Sequence, residues 1–161
     1  MLDQYKKPYI DSSGFISLIK MEEVKGIERG KIVKHVLTRA SQGDYPIHTS
    51  TFTLAEVNKL RKEDRQPAGV SEKILAFFEQ EYIKLIDVDR RIGEHANRFC
   101  QEFGVYPADA VHLACAIRAG CDVLLAWDDR FAKVNHPQIS VEEPRMLGQH
   151  ALELAAEKNN E

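Results

Sequence analysis

Residues 107–128 read PADAVHLACAIRAGCDVLLAWD, and this run contains a helical pattern followed by a strand pattern. Pro107 suits the first turn of a helix that Gly120 ends, and the apolar face of that helix comprises Ala110, Leu113, Ala114 and Ile117. Val123 to Ala126 is a continuous apolar run, typical of a strand that is covered on both faces. The run therefore predicts a helix and then a buried strand, closed by Asp128.

The same alternation extends over the rest of the chain. Short apolar or β-branched runs predict strands over 7–10, 47–52, 82–88 and 139–141. Apolar residues at helical spacing predict helices over 15–21, 28–39, 54–65, 71–78 and 89–103, with Ser12, Ser13, Ser71 and Asp89 as candidate N-caps. Strands separated by helices predict an α/β fold, a three-layer sandwich with a mainly parallel central β-sheet.

The length of 161 residues predicts a single domain. Its core should span about 8–142, with a helical C-terminal extension over about 144–156. No apolar run has the roughly 20 residues needed to cross a bilayer, so no membrane association is expected. The three cysteines form no CxxC pair, which disfavours zinc and disulfides and favours the cytoplasm. A net charge of −3 excludes nucleic-acid binding by bulk electrostatics.

Four acids lie at the ends of predicted strands or at the starts of predicted helices. Asp11 and Asp128 each follow a predicted strand, at the sheet edge where open α/β folds bind ligands. Glu56 and Asp109 are expected in the first turns of two helices, where an acid alone is usually just a favourable partner of the helix dipole. Together, four converging carboxylates would repel one another, and a divalent cation would remove that repulsion. Oxygen ligands without His or Cys favour Mg²⁺ or Mn²⁺, and phosphodiester hydrolysis is the reaction class that such ions serve.

Four segments in this order resemble the PIN-domain pattern, most closely that of VapC-like toxins of toxin–antitoxin pairs. They are YIDSS at 9–13, FTLAEV at 52–57, PADAVHLA at 107–114 and LLAWDDRF at 124–131. The resemblance implies a metal-dependent endoribonuclease that acts on RNA, forms a homodimer and is inhibited by a cognate antitoxin. It also implies that Asp11, Glu56, Asp109 and Asp128 are the catalytic, metal-binding acids. The family often has Thr or Ser where this chain has Ala126, a difference that bears on activity rather than on fold.

Three further residues are supporting candidates near these acids. Ser12 could position a metal-bound water or a phosphate, and His112 could order a phosphate or a water, although a packed histidine is the commoner case. Asp129 is a candidate auxiliary ligand, with a solvated turn residue as the commoner alternative. Trp127 could stack on a base, but packing is again the commoner role.

Two other functions are compatible with parts of the pattern. A catalytically weak or inactive PIN fold could act as an RNA-binding or assembly module. A haloacid-dehalogenase-like phosphatase also has an Asp after its first strand, and Asp128-Asp129 would mimic its later acid pair. That chemistry requires a second Asp two residues after the first, where this chain has Ser13.

Overall fold

The computed structural model describes residues 5–58 and 69–147. Its strands are β1 (Pro8–Ile10), β2 (Ile47–Ser50), β3 (Ile83–Ile86), β4 (Val123–Leu125) and β5 (Ser140–Glu142). Its helices are α1 (Ser12–Ile19), α2 (Arg29–Ser41), α3 (Thr51–Glu56), α4 (Val70–Phe77), α5 (Arg90–Phe103) and α6 (Pro107–Arg118), and a short 3-10 helix covers Asp129–Lys133.

The five strands form one sheet in the order β3-β2-β1-β4-β5. Every neighbouring pair is parallel, with Tyr9 opposite both His48 on β2 and Leu124 on β4. The carboxyl ends of all five strands therefore share one edge of the sheet. The predicted α/β class with a parallel sheet is confirmed, and β1 and β4, the strands that precede Asp11 and Asp128, are neighbours at its centre.

Two apolar cores lie on opposite faces of the sheet. Ile10 and Leu125 point into one core, where they pack with Phe15 from α1 and Val33 and Val36 from α2. Tyr9 and Leu124, the adjacent strand residues, point into the other core, which α5 and α6 cover. Side chains alternate between the faces of a strand, so these central strands are buried on both sides and read as continuous apolar runs. The helices on each face make the predicted three-layer sandwich.

Several predicted element boundaries are wrong. Strand β2 ends at Ser50 rather than at residue 52, and α3 begins at Thr51, which moves Glu56 from a first helical turn to the last residue of its helix. The β-branched residues Thr51 and Thr53 suggested a longer strand, but Thr53 is fully buried and its hydroxyl lies 2.7 Å from that of Thr49 on β2. Tertiary packing thus overrides strand propensity here.

Helix starts were also misassigned at two places. Asp11, not Ser12 or Ser13, caps α1 by accepting a hydrogen bond from the Gly14 amide. Gly69, with φ of 90°, precedes α4 where Ser71 was expected to cap it. Asp89 caps α5 as predicted, and Gly104 ends that helix with φ of 66°.

Two predicted helices extend beyond the described residues. The second half of the helix predicted over 54–65 lies outside them, as does most of the extension predicted over 144–156, of which residues 144–147 are not helical. Within the described ranges, no helix combines the length and the apolar character needed to span a lipid bilayer.

Candidate functional site

Asp11 and Asp128 lie at the carboxyl ends of the two central strands. Asp11 directly follows β1, and its amide donates to the Leu125 carbonyl on β4 at 3.2 Å. Asp128 lies three residues after Leu125 and caps the short 3-10 helix by accepting from the Arg130 amide. Both positions agree with the sheet edge predicted for them, because parallel neighbours end at the same edge.

Asp11 is a buried carboxyl, 4% exposed, held by a short chain of hydrogen bonds. The Trp127 amide donates to the Ser13 hydroxyl at 3.2 Å, and that hydroxyl donates to Asp11 Oδ1 at 2.5 Å. Burial raises the pKa of Asp11 to about 6, even though the Ser13 and Gly14 hydrogen bonds and nearby His112 act to lower it. The carboxylate form of Asp11 therefore lacks sufficient positive charge around it.

Ser12 and His112 both bind Glu56. The Ser12 hydroxyl donates to Glu56 Oε1 at 3.0 Å, and His112 Nε2 lies 2.5 Å from the same oxygen. An ionised carboxylate can only accept, so Nε2 donates to Glu56, and Nδ1 on the other side of the ring lies 2.7 Å from the Tyr9 hydroxyl. Burial raises the pKa of Tyr9 well above its ordinary value, which keeps that hydroxyl protonated.

Asp109 and Asp128 share one cation, Arg130. The Nε of Arg130 lies 2.6 Å from Asp128 Oδ2 and 3.4 Å from Asp109 Oδ2. Asp109 sits in the first turn of α6, as predicted, and is 4% exposed. Its Oδ2 atom is buried and accepts no hydrogen bond from the described residues. This buried oxygen therefore has an ion pair at 3.4 Å but lacks, within the described part of the chain, the hydrogen bond that buried polar atoms usually accept.

The four acids form one electrostatic cluster. Burial raises the pKa of Asp109 most, the charges of Asp128 and Glu56 raise it further, and Arg130 and His112 oppose them. The charge of Asp109 in turn raises the pKa of Asp11. Asp109 thus lies within electrostatic reach of each of the other three acids, Asp11, Glu56 and Asp128.

The donor chemistry of this cluster fits a hard divalent cation. Its four members offer carboxylate oxygens, one of them the incompletely satisfied Oδ2 of Asp109. In the part of the chain that the structure describes, however, no three His, Cys, Asp or Glu side chains are already arranged as a closed ligand group. Glu56 is turned to Ser12 and His112, while Asp109 and Asp128 are turned to Arg130. Binding an ion here therefore requires side-chain rotation.

The cluster opens to solvent beside Asp128. A polar cavity of about 450 Å³ is lined by Ser13, Arg29, Trp127, Asp128, Asp129 and Glu143. Asp129 is exposed in this cavity, which is compatible with both of its predicted roles. Trp127 is 6% exposed, donates through Nε1 to the Ser17 hydroxyl at 3.0 Å and has Arg29 over its ring. Trp127 is a packing residue, as the commoner alternative predicted.

Sequence reasoning missed two residues of the site. Ser13 was considered as a helix cap and as the position where a dehalogenase-like enzyme needs an acid, yet its hydroxyl instead holds Asp11. Arg130 was not singled out as the partner of two acids, although a cation two residues after Asp128 was a visible signal. Near Ala126, where the family often has a hydroxyl, Ser13 supplies one to the adjacent Trp127 amide.

Comparisons with known proteins agree with this architecture. The family model described as PIN domain matches residues 9–137. A solved structure titled as a toxin–antitoxin complex from Klebsiella pneumoniae is similar, with a TM-score of 0.60 and 20% identity over 87% of this chain and 99% of that one. The VapBC2 structure from Rickettsia felis, bound to a fragment of promoter DNA, has a TM-score of 0.58 and 15% identity over 85% and 98% of the two chains. No curated protein sequence matches this chain.

Proposed function

This chain belongs to the PIN domain family, whose members are generally nucleases, and from that premise we propose that it is a metal-dependent endoribonuclease. Its reaction would be hydrolysis of RNA phosphodiester bonds, with Mg²⁺ or Mn²⁺ as cofactor. The observation that carries the proposal is the cluster of four acids at the carboxyl edge of the sheet, two of them almost completely buried.

Burying an ionised carboxylate costs free energy unless cations or hydrogen-bond donors offset its charge. Burial and mutual repulsion raise the pKa values of Asp11 and Asp109, which means that the empty cluster destabilises its own ionised form. The ion pairs of Arg130 with Asp109 and Asp128 reduce this cost for those two acids. A site that retains such a strained arrangement of charge is a candidate for catalysis.

Asp11, Asp109 and Asp128 are the residues that would hold the ion, and Glu56 would complete the set after a rotation from His112. A bound Mg²⁺ or Mn²⁺ supplies Lewis acidity at a phosphoryl oxygen and lowers the pKa of a coordinated water. The remaining residues orient the acids. Ser13 fixes one oxygen of Asp11, and Ser12 and His112 fix one oxygen of Glu56.

Arg130 has a second role in this proposal. Its side chain is about half exposed, so the guanidinium can turn from Asp109 and Asp128 once those carboxylates have another counter-ion. A guanidinium freed at the rim of the site suits contact with a phosphate of the substrate. The net charge of −3 makes such a local contact necessary, since the protein as a whole does not attract RNA.

We further propose that the protein is a homodimeric toxin held inactive by an antitoxin. Of the two similar structures named above, the first is described as a toxin–antitoxin complex and the second as VapBC2, and the fold of this chain matches theirs. An antitoxin segment carrying an Arg could pair with the acid cluster in the way that Arg130 already does. The three cysteines are free, as expected of a protein that works in the reducing cytoplasm.

The test is cleavage of single-stranded RNA by purified protein with Mn²⁺ or Mg²⁺ and with chelator. We expect cleavage that requires the divalent ion. Asp11→Asn and Asp109→Asn should lower the rate by more than the about 10- to 100-fold typical of residues that merely support a metal ligand. Asp87→Asn is the matched control, because Asp87 is an exposed acid after the edge strand β3, and this variant should cleave at the wild-type rate.

Two results would contradict the proposal. Cleavage that continues in the presence of chelator would show that no metal ion is required. An equal loss of cleavage rate in all three variants would show that the acid cluster has no special role. RNA binding without cleavage under either ion would favour the alternative function, an inactive PIN fold that serves as an RNA-binding or assembly module.

A further inference from the structure

Tyr106 is the most exposed of the large apolar and aromatic side chains in the described residues, at 63%. It immediately precedes Pro107, the first residue of α6, and its backbone is extended with φ of −65° and ψ of 151°. Asp109, three residues later, is buried in the acid cluster. The ring therefore lies at the rim of the candidate site, on the residue where the chain enters the helix that supplies one of the acids.

Arg130 connects this ring to the acids. Its guanidinium carbon lies 5.2 Å from the centre of the Tyr106 ring, and its Nε contacts both Asp128 and Asp109. Only one side chain thus separates the aromatic ring from two of the four carboxylates. Arg130 is itself about half exposed, so the ring and the guanidinium form a continuous surface open to solvent beside the site.

An exposed tyrosine backed by an arginine has a specific use next to a phosphodiester site. Aromatic rings stack on unpaired bases, and arginine combines stacking with contact to phosphate. Trp127, which precedes Asp128, is 6% exposed, donates through Nε1 to the Ser17 hydroxyl and has Arg29 over its ring. Tyr106 has both the exposure and the location that Trp127 lacks.

We propose that Tyr106, supported by Arg130, is a stacking platform for one unpaired base of a single-stranded RNA next to the bond that is cleaved. This inference rests on the nuclease function proposed above and adds a residue, Tyr106, that would contact a base of the substrate. A base within a duplex is already stacked on its neighbours and cannot lie on the ring without being unpaired.

The experiment measures the affinity of the full-length protein for a short fluorescein-labelled single-stranded RNA, with chelator present so that no cleavage occurs. Tyr106→Ala should weaken binding by about 5- to 150-fold, the range that corresponds to the loss of one stacked base. Tyr106→Phe keeps the ring and should bind as wild type does. Leu75→Ala, which truncates an exposed apolar residue on α4, is the matched control and should also leave binding unchanged.

A scan with single abasic nucleotides identifies the stacked base. Wild type should lose affinity at one position of the RNA, and Tyr106→Ala should lose nothing further at that position, because the same contact is already gone. In the cleavage assay, Tyr106→Ala should raise KM and leave kcat nearly unchanged, as expected for a contact made equally before and during the reaction.

The proposal is overturned if Tyr106→Ala binds the RNA as tightly as wild type. It is also overturned if Tyr106→Phe loses as much affinity as Tyr106→Ala, which would assign the contact to the hydroxyl. A changed oligomeric state in Tyr106→Ala with unchanged RNA affinity would show that the ring meets a protein. Failure of the nuclease proposal gives a different pattern, in which wild type cleaves no RNA while the loss of binding in Tyr106→Ala persists.

Discussion

Asp11 is the residue at which structure and chemistry conflict most. The metal site proposed above requires an ionised carboxylate at the end of β1, yet burial raises the pKa of Asp11 to about 6. Asp11 combines two tasks, since it also caps α1 through the Gly14 amide. The capping role could be filled by an uncharged residue, so the retained charge is the feature that calls for a function.

The raised pKa of Asp11 predicts how stability depends on pH in metal-free protein. The folded state keeps the Asp11 proton up to about pH 6, whereas the unfolded chain releases it near 3.8. Stability from this residue is therefore complete below 3.8 and is lost as pH rises through about 6, by about 3 kcal/mol at most. Asp11→Asn removes this loss while its amide oxygen still accepts from Gly14.

Urea unfolding with chelator, at a series of pH values, measures this effect. The variant should become the more stable protein as pH rises from 4 toward 7, and the difference between the two proteins should level off above the pKa of Asp11, about 6. Parallel pH dependences of the two proteins would mean that Asp11 is not penalised by burial.

The sequence predicted which acids would form the candidate site, but not which side chains they contact. The four acids could be selected because each follows a strand or opens a helix pattern, and the resemblance to PIN domains fixed the set. The pairing of Arg130 with two acids, and of Ser12 and His112 with Glu56, depends on how distant segments meet. His112 and Glu56 are 56 positions apart, and no periodicity relates them.

At the scale of elements, one glycine sets how closely two helices pack. A Cβ on Gly30 of α2 would lie 2.7 Å from the Ser17 carbonyl oxygen of α1 and 2.8 Å from Cα of Met21. These are backbone atoms that cannot move aside without shifting the helix. The region joins the two helices that cover one face of the sheet, next to the strand that ends at Asp11.

Gly30→Ala should therefore destabilise the protein by about 1–3 kcal/mol, the usual cost of overpacking. Gly93→Ala is the matched control. Gly93 lies inside α5, where an added Cβ meets nothing within 4 Å, so alanine should stabilise the helix by about 0.5–1 kcal/mol. Denaturant unfolding measures the free energy of unfolding of both variants and of wild type. Equal effects of the same sign would show that α1 and α2 do not approach each other as described.

Elements were predictable where apolar runs were long or caps were unambiguous. The continuous apolar run predicted the strand at 123–125, and Pro107 predicted the start of α6. Asp89 and Gly104 correctly marked the limits of α5. Sequence reasoning failed at α3, because Thr51 and Thr53 have strand propensity, whereas Thr53 is buried in the helix and its hydroxyl contacts that of Thr49. The end of Glu56's helix, and hence its exact relation to the site, could not be read from propensity.

At the scale of the whole molecule, the protein carries a net negative charge, and so does its proposed substrate, RNA. A net charge of −3 gives RNA no general attraction, so we expect binding to depend on the local contacts of Arg130 and Tyr106 and on the proposed divalent ion. This arrangement makes activity depend on one small region at the carboxyl edge of the sheet. The antitoxin proposed above would inhibit the proposed nuclease activity by placing a cation there.

The most direct test of the central claim is the anomalous scattering of a crystal soaked in Mn²⁺. We expect a peak among the carboxylates of Asp11, Asp109 and Asp128, with Arg130 turned away, and no such peak in a matched crystal of Asp109→Asn. Wild-type crystals at saturating Mn²⁺ that show no peak there, with Arg130 still paired to Asp128 and Asp109, would contradict the claim that this acid cluster is a metal site.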